Sequence, residues 1–238
     1  MKYAFVTGAD RGLGFAFCTE LLERGYYVFA GQYMPDWKEL EGLKAKYLEQ
    51  LTMISLDISS DVSVKTACVK IKEACPYINL LINNAGITGD NDTSIFGELD
   101  FDDMMKVYNV NTLGPLRVTN GIVDHVLKSD DKTIVTISSE AGSIGDCWRD
   151  RWFAYAMSKC ALNMQGALVH KAITPEGGRL VLIHPGFVQS YMSGTLNEKA
   201  RDTGEECAKG VLKVVLDDEV VASEMPEYKD FKGKDLPW

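Results

Sequence analysis

KYAFVTGADRGLGF, residues 2–15, runs from a short apolar stretch through a glycine-rich turn into a segment with helical spacing. Its glycines stand as Gly8-x-x-x-Gly12-x-Gly14, with Arg11 and Leu13 between them. Lacking Cβ atoms, Gly8 and Gly12 let the chain turn tightly and let a pyrophosphate approach the N–H groups that open a helix, while Gly14 permits close packing of helix on strand. Glycines also gather where a strand merely meets a helix, so it is the position on the first strand that gives this turn its weight.

Outward from that turn the same alternation continues. Runs at 26–31 (YYVFAG), 51–56 (LTMISL), 78–83 (INLLIN), 132–138 (KTIVTIS) and 179–184 (RLVLIH) read as buried strands. Segments with helical spacing lie at about 13–24, 36–48, 61–75, 100–128, 152–174 and 205–216. Crossovers of that length imply right-handed βαβ units, hence an α/β fold: a doubly wound, Rossmann-type parallel sheet of about seven strands with helices on both faces. Residues 225–231 are a candidate seventh, edge strand, although Pro226 cannot donate to a ladder. No repeat or linker divides the chain, so residues 1–238 are expected to form one domain. Long segments at 87–99, 140–151 and 187–204 follow the fourth, fifth and sixth strands, and in open α/β sheets the ligand crevice lies beyond such strand ends.

Composition narrows the function classes. Apolar residues at 46% and charged residues at 25% are those of an ordinary folded chain. A net charge of −9 repels phosphate backbones and anionic lipid, which argues against nucleic-acid or membrane partners. It does not forbid a local basic site, because salt confines such fields to roughly 10 Å. The six cysteines include no CxxC pair, MKYAFVTGAD carries no apolar leader, and no apolar run approaches the roughly 18 residues of a membrane span, so a soluble, cytoplasmic protein is expected. His125, His170 and His184 lie far apart without close Cys or His neighbours, and no metal site is expected.

At the end of the second strand an acidic residue would hydrogen-bond adenosine ribose hydroxyls and repel an added phosphate; here the chain reads Ala30-Gly31-Gln32-Tyr33. With no carboxylate in that stretch and the Arg11 guanidinium in the glycine turn, NADP(H) is favoured as the cofactor, with NAD(H) as the alternative.

Chemistry-bearing residues gather after the fifth strand. Ser138 and Ser139 precede Tyr155-x-x-x-Lys159, whose two ends share a helix face. A phenol with pKa of about 10 is a poor proton shuttle near neutrality, but a neighbouring ammonium stabilises the phenolate and lowers that value. Such pairs are common on solvated helices, and context has to decide. Asn111 stands four residues before Pro115, which has no N–H for the Asn111 carbonyl. A water on that carbonyl would link Lys159 to solvent; a plain kink is the alternative.

Thr7–Gly14 as TGxxxGxG, Asn83-Asn84-Ala85-Gly86, Ser139, Tyr155-x-x-x-Lys159 and Pro185-Gly186 occur in one order over most of the chain. That set resembles the short-chain dehydrogenase/reductase family, and the tail 233–238 and the segment after Pro185 are similar to its small carbonyl reductases of the C-factor type. The resemblance implies Tyr155 as general acid/base, Lys159 as the residue that lowers its pKa and binds the nicotinamide ribose, Ser139 orienting the substrate oxygen, and Asn111 completing a tetrad. Ser139 is preferred to Ser138 from the Ser-Ser-x-x-Gly pattern. The resemblance further implies a cofactor site of Gly8, Arg11, Gly12, Leu13 and Gly14, with Asp57 at the adenine end and Asn84, Ala85 and Gly86 along the floor. Tyr155, Lys159, Pro185, Gly186, Val188 and Ser190 would lie toward the nicotinamide. The expected activity interconverts a small carbonyl compound and its alcohol, and pairing through the helices that carry Asn111 and Tyr155 implies a homodimer or homotetramer. A dinucleotide-binding redox sensor or signalling protein with little turnover is the rival, against which a tuned phenol argues.

Ser139 and Tyr155 are 16 residues apart, slightly more than many members of that family show. The extra residues, within 145–152, bring Trp148 and Trp152, which are expected to border the substrate pocket; a packed surface turn is the alternative.

Overall fold

The computed structural model describes every residue except 91, 193 and 218–222. Strands β1 (Tyr3–Val6), β2 (Tyr27–Gln32), β3 (Leu51–Ser55), β4 (Leu80–Asn83), β5 (Thr133–Ile137), β6 (Arg179–His184) and β7 (Glu227–Asp230) form one sheet in the order β3-β2-β1-β4-β5-β6-β7. Every neighbouring pair is parallel. The order reverses between β1 and β4, and the cleft at that switch point is where an α/β sheet receives a ligand.

Successive side chains of a strand point to opposite faces, so Phe5 and Val6 feed different cores. On one face α1 (Gly12–Glu23), α2 (Glu39–Lys46) and α7 (Gly204–Leu216) bury Val6, Phe17, Leu21, Leu40 and Val211. On the other, α3 (Asp61–Ala74), α5 (Gly114–Val126) and α6 (Phe153–Ile173) bury Phe5, Phe29, Ile71, Ile122 and Leu182. β4 and β5, covered on both sides, are buried at every residue, which is why they read as apolar and β-branched runs without a polar alternation.

The helical stretch expected over 100–128 is divided. α4 (Phe101–Tyr108) passes into α5 through a π turn at Asn109–Leu113, in which the Gly114 N–H donates to the Asn109 carbonyl five residues back. Pro115 cannot donate, and a local change of hydrogen-bond register absorbs the fault. The seventh strand forms: Pro226 lies immediately before β7 and owes the ladder no N–H. The tail then folds back on this edge, the Asp230 N–H donating to the Lys234 carbonyl and the Leu236 N–H to the Tyr228 carbonyl, each at 2.8 Å. Among the described residues no helix is long and apolar enough to cross a membrane.

Candidate active site

The glycine turn is fastened to the end of β4. Thr7 Oγ1 accepts from the N–H groups of Asn84 (3.0 Å) and Ala85 (3.1 Å), while Asn84 Nδ2 donates to the carbonyls of Thr7 (3.0 Å) and Gly8 (3.1 Å). Gly8 has φ +64°, and a Cβ there would lie 2.8 Å from Ala85 Cα; a Cβ on Gly14 would lie 2.0 Å from the Gly8 carbonyl oxygen. Neither site admits a side chain. The helix α1 begins without a side-chain cap and without an acidic residue in its first turn, whereas α3, α4 and α7 are capped by Ser60, Asp100 and Thr203. An uncapped, positive helix start beside glycines that keep the backbone bare fits a dinucleotide pyrophosphate.

At the end of β2 the sequence reading missed a residue. Asp10 is buried, and its carboxylate accepts from the N–H groups of Tyr33 (3.0 Å) and Met34 (2.8 Å). A carboxylate therefore does stand at the end of β2, but the glycine turn contributes it and two backbone donors occupy it. Asp57, after β3, accepts from the Ser59 N–H (2.8 Å) and hydroxyl (2.6 Å). The Arg11 guanidinium lies 4.6 Å from the Trp37 ring centroid and 5.5 Å from that of Tyr191, and donates to the Tyr191 carbonyl at 3.4 Å. Arg11 has no ion-pair partner among the described residues. Nothing in the sequence signals Trp37 or Tyr191, which meet Arg11 only through folding.

The structure brings Asn111, Lys159 and Gly86 together: a Cβ on Gly86 would lie 3.2 Å from Asn111 Oδ1 and 3.8 Å from Lys159 Nζ. Asn111, buried at the π turn, acts through its side chain, accepting from the Ile87 N–H (2.9 Å) and donating to the Ile87 carbonyl (2.8 Å) and Ser158 Oγ (3.0 Å). It thereby clips the end of β4 to α6. Lys159 is 3% exposed, donates to the Ile137 carbonyl at 2.8 Å and has no ion-pair partner among the described residues; its Nζ is 5.5 Å from the Tyr155 ring centroid. Burial pushes its amine down to about 8.

Tyr155 departs from the electrostatic expectation. Burial pushes its phenol up to about 12, with the Ser139 hydroxyl working against that rise. Desolvation of the phenolate outweighs a lysine whose own charge is destabilised and whose donor is turned to Ile137. The two serines divide their work. Ser138 Oγ donates to Asn163 Oδ1 at 2.5 Å and is committed to the core, whereas Ser139 faces Tyr155 and caps the short 3₁₀ turn Glu140–Gly142.

The loop after β5 locks onto itself. Arg149 reaches both Glu140 oxygens, one at 2.9 Å, and lies 4.2 Å from the Trp148 ring centroid and 5.0 Å from that of Trp152. Trp152 takes φ +72° just before α6, and its ring meets that of Tyr155 edge-on at 6.0 Å. Trp148 is 73% exposed, so the two tryptophans expected at the pocket differ: one touches Tyr155, the other faces solvent. After β6, Gly186 has φ +91° and the Phe187 N–H donates to Asp202 at 3.0 Å; Val188 pairs with Asp202, and the Ser190 carbonyl accepts from Asn197. Among the described residues, neither Pro185, Val188 nor Ser190 hydrogen-bonds to Asn111, Ser139, Tyr155 or Lys159.

The wider likeness of the chain agrees with this geometry. The profile of the short chain dehydrogenase family matches residues 2–201. The C-signal protein of Myxococcus xanthus is 32% identical over 161 residues, 68% of this chain and 93% of that one. The crystal structure of NADPH-bound carbonyl reductase from chicken fatty liver superposes with TM-score 0.88 at 32% identity, covering 100% of this chain and 99% of that one. A short-chain dehydrogenase/reductase from Burkholderia multivorans with bound NADP gives TM-score 0.84 at 27% identity, with the same coverage. With the doubly wound sheet, the glycine turn and the Tyr155–Lys159 helix already in place, the chain belongs to the short-chain dehydrogenase/reductase family of oxidoreductases.

Proposed function

We propose that this enzyme is an NADP(H)-dependent reductase of small carbonyl compounds, able to run in reverse, with Asn111, Ser139, Tyr155 and Lys159 as its catalytic tetrad. The observation that carries the reading is Lys159. A primary amine buried to 3% exposure beside a phenol, with a single carbonyl to receive its donors, is costly and has no packing value that an apolar side chain would not supply better.

Gly8, Gly12, Leu13 and Gly14 would hold the pyrophosphate, Arg11 the 2′-phosphate, Asp57 the adenine end, and Asn84, Ala85 and Gly86 the floor. Pro185, Gly186, Val188 and Ser190 would border the nicotinamide. The NADPH- and NADP-bound relatives support that choice of cofactor. A bound nicotinamide supplies the two electrons and the hydrogen delivered to the carbonyl carbon. Tyr155, held protonated at neutral pH by burial, donates the proton to the carbonyl oxygen, which Ser139 orients. Lys159, with its amine near 8, exchanges protons close to neutrality and recharges the phenol. Asn111 keeps α6 and the end of β4 in register.

Exposed apolar side chains support self-association through the expected helices: Phe101, Met105 and Tyr108 lie three and four apart on α4, and Met157, Met164 and Leu168 share a face of α6. The test of the activity is NADPH oxidation with a panel of aldehydes, ketones and quinones, alongside Tyr155→Phe. Turnover that vanishes in this variant supports the reading. NADPH binding without turnover of any panel member would instead favour the sensor.

A further inference from the structure

Trp152 is a bulky residue in the left-handed region, a conformation that strains an L side chain unless its surroundings enforce it. No side chain caps α6 at this point, so capping does not explain the geometry. What surrounds Trp152 is the Arg149 guanidinium against its ring at 5.0 Å, Tyr155 at its edge at 6.0 Å, and Glu140 gripping Arg149 from the residue next to Ser139. The Arg149 side chain is only 10% exposed and Glu140 is half-buried, so this pair does not belong to the solvated surface.

We propose that Glu140 and Arg149 are a coupled pair of positioning residues for Tyr155, the fork between them holding Trp152 against the phenol ring. The inference rests on Tyr155 being the acid/base of the reaction. Three links make the chain: Glu140 sets the plane of Arg149 through two parallel bonds, Arg149 sets the ring of Trp152, and Trp152 sets the edge of Tyr155. The charged and titratable groups facing the phenol are Glu140 beyond β5, Arg149 in the following loop, Tyr228 from β7 and Lys159 one turn along α6. His184, at the end of β6, faces Glu140 and Arg149 with its own proton affinity lowered by burial. At the phenol, Glu140 disfavours the phenolate and Arg149 favours it.

Arg149→Met and Glu140→Gln each remove one end of the fork and free Trp152 from it. The double variant, which buries no unpaired charge and so guards against misfolding, should lose no more than the worse single, as a coupled pair does. Each single variant should lose about 10- to 100-fold in kcat, the scale of a slight misplacement of reacting groups, with KM within about threefold. NADPH affinity, read by fluorescence titration, should stay the same. Glu140→Asp should restore part of the loss. A loss that falls on KM or on NADPH affinity, or no loss in kcat, would reduce the pair to a loop staple and overturn the proposal. Turnover that survives Tyr155→Phe would strike the parent reading instead, so the two failures are distinct.

Discussion

Arg11 and Arg149 are each packed on two aromatic rings, Arg11 on Trp37 and Tyr191 after β1, Arg149 on Trp148 and Trp152 after β5. They differ in what else they touch. Arg149 is forked onto Glu140, whereas Arg11 has one long bond to the Tyr191 carbonyl and no acid among the described residues. Aromatic faces orient a guanidinium at small energy, about 0.5–2 kcal/mol, and leave its in-plane donors open. A carboxylate then decides whether those donors are spent inside the protein or kept for a ligand. On that contrast Arg11 keeps donors open for a ligand, while Arg149 spends its own inside the protein.

The largest effect should come from Tyr155, the phenol whose ring Trp152 meets edge-on. Tyr155→Phe should lower turnover by about 10²- to 10⁴-fold, the reach of general acid catalysis, with NADPH affinity unchanged in a binding titration. A comparable loss of binding would mean that the phenol belongs to the cofactor site alone. Next is Lys159. Its amine sits at about 8 against an ordinary 10.5, so between these values the folded chain binds fewer protons than the unfolded one. The penalty for burying the ammonium is therefore fully present below about pH 8 and gone above pH 10.5. Lys159→Met should stabilise the fold by roughly 3 kcal/mol at neutral pH, a gain that fades as pH rises through that window in denaturant titrations. A gain independent of pH would contradict the assignment.

Arg11→Ala sharpens the contrast directly. It should weaken NADPH by about 10- to 100-fold, the value of charge-assisted bonds to a phosphate, and leave NADH nearly untouched. Equal losses for both would erase the distinction between the two arginines. The smallest effect separates the two tryptophans around Arg149: Trp148→Ala, at an exposed site, should change kcat/KM by no more than about twofold, while Trp152→Ala should change it by clearly more. Equal responses would return the loop to an undivided pocket rim.

What was legible beforehand had a local cause. β4 and β5 read correctly because a strand covered on both faces is buried at every position and so is rich in apolar and β-branched residues, and Gly8 and Gly14 read correctly because a Cβ there would collide with Ala85 and with the Gly8 carbonyl. The YxxxK spacing was legible because a helix brings residues four apart onto one face. The break at Asn109–Leu113 was half legible: Pro115 announced a fault, but whether it became a bent helix or a π turn depended on packing.

By itself, then, the amino-acid order determined the parallel sheet, the bare glycine turn and the Tyr155–Lys159 pair, since periodicity and backbone sterics act over a few residues. Only the tertiary structure decided that Asp10 would serve the end of β2, that Tyr191 would cover Arg11 across 180 positions, and that burial would raise the phenol. Those outcomes depend on which distant surfaces exclude water together, and desolvation belongs to the assembled environment of a group, not to its neighbours along the chain.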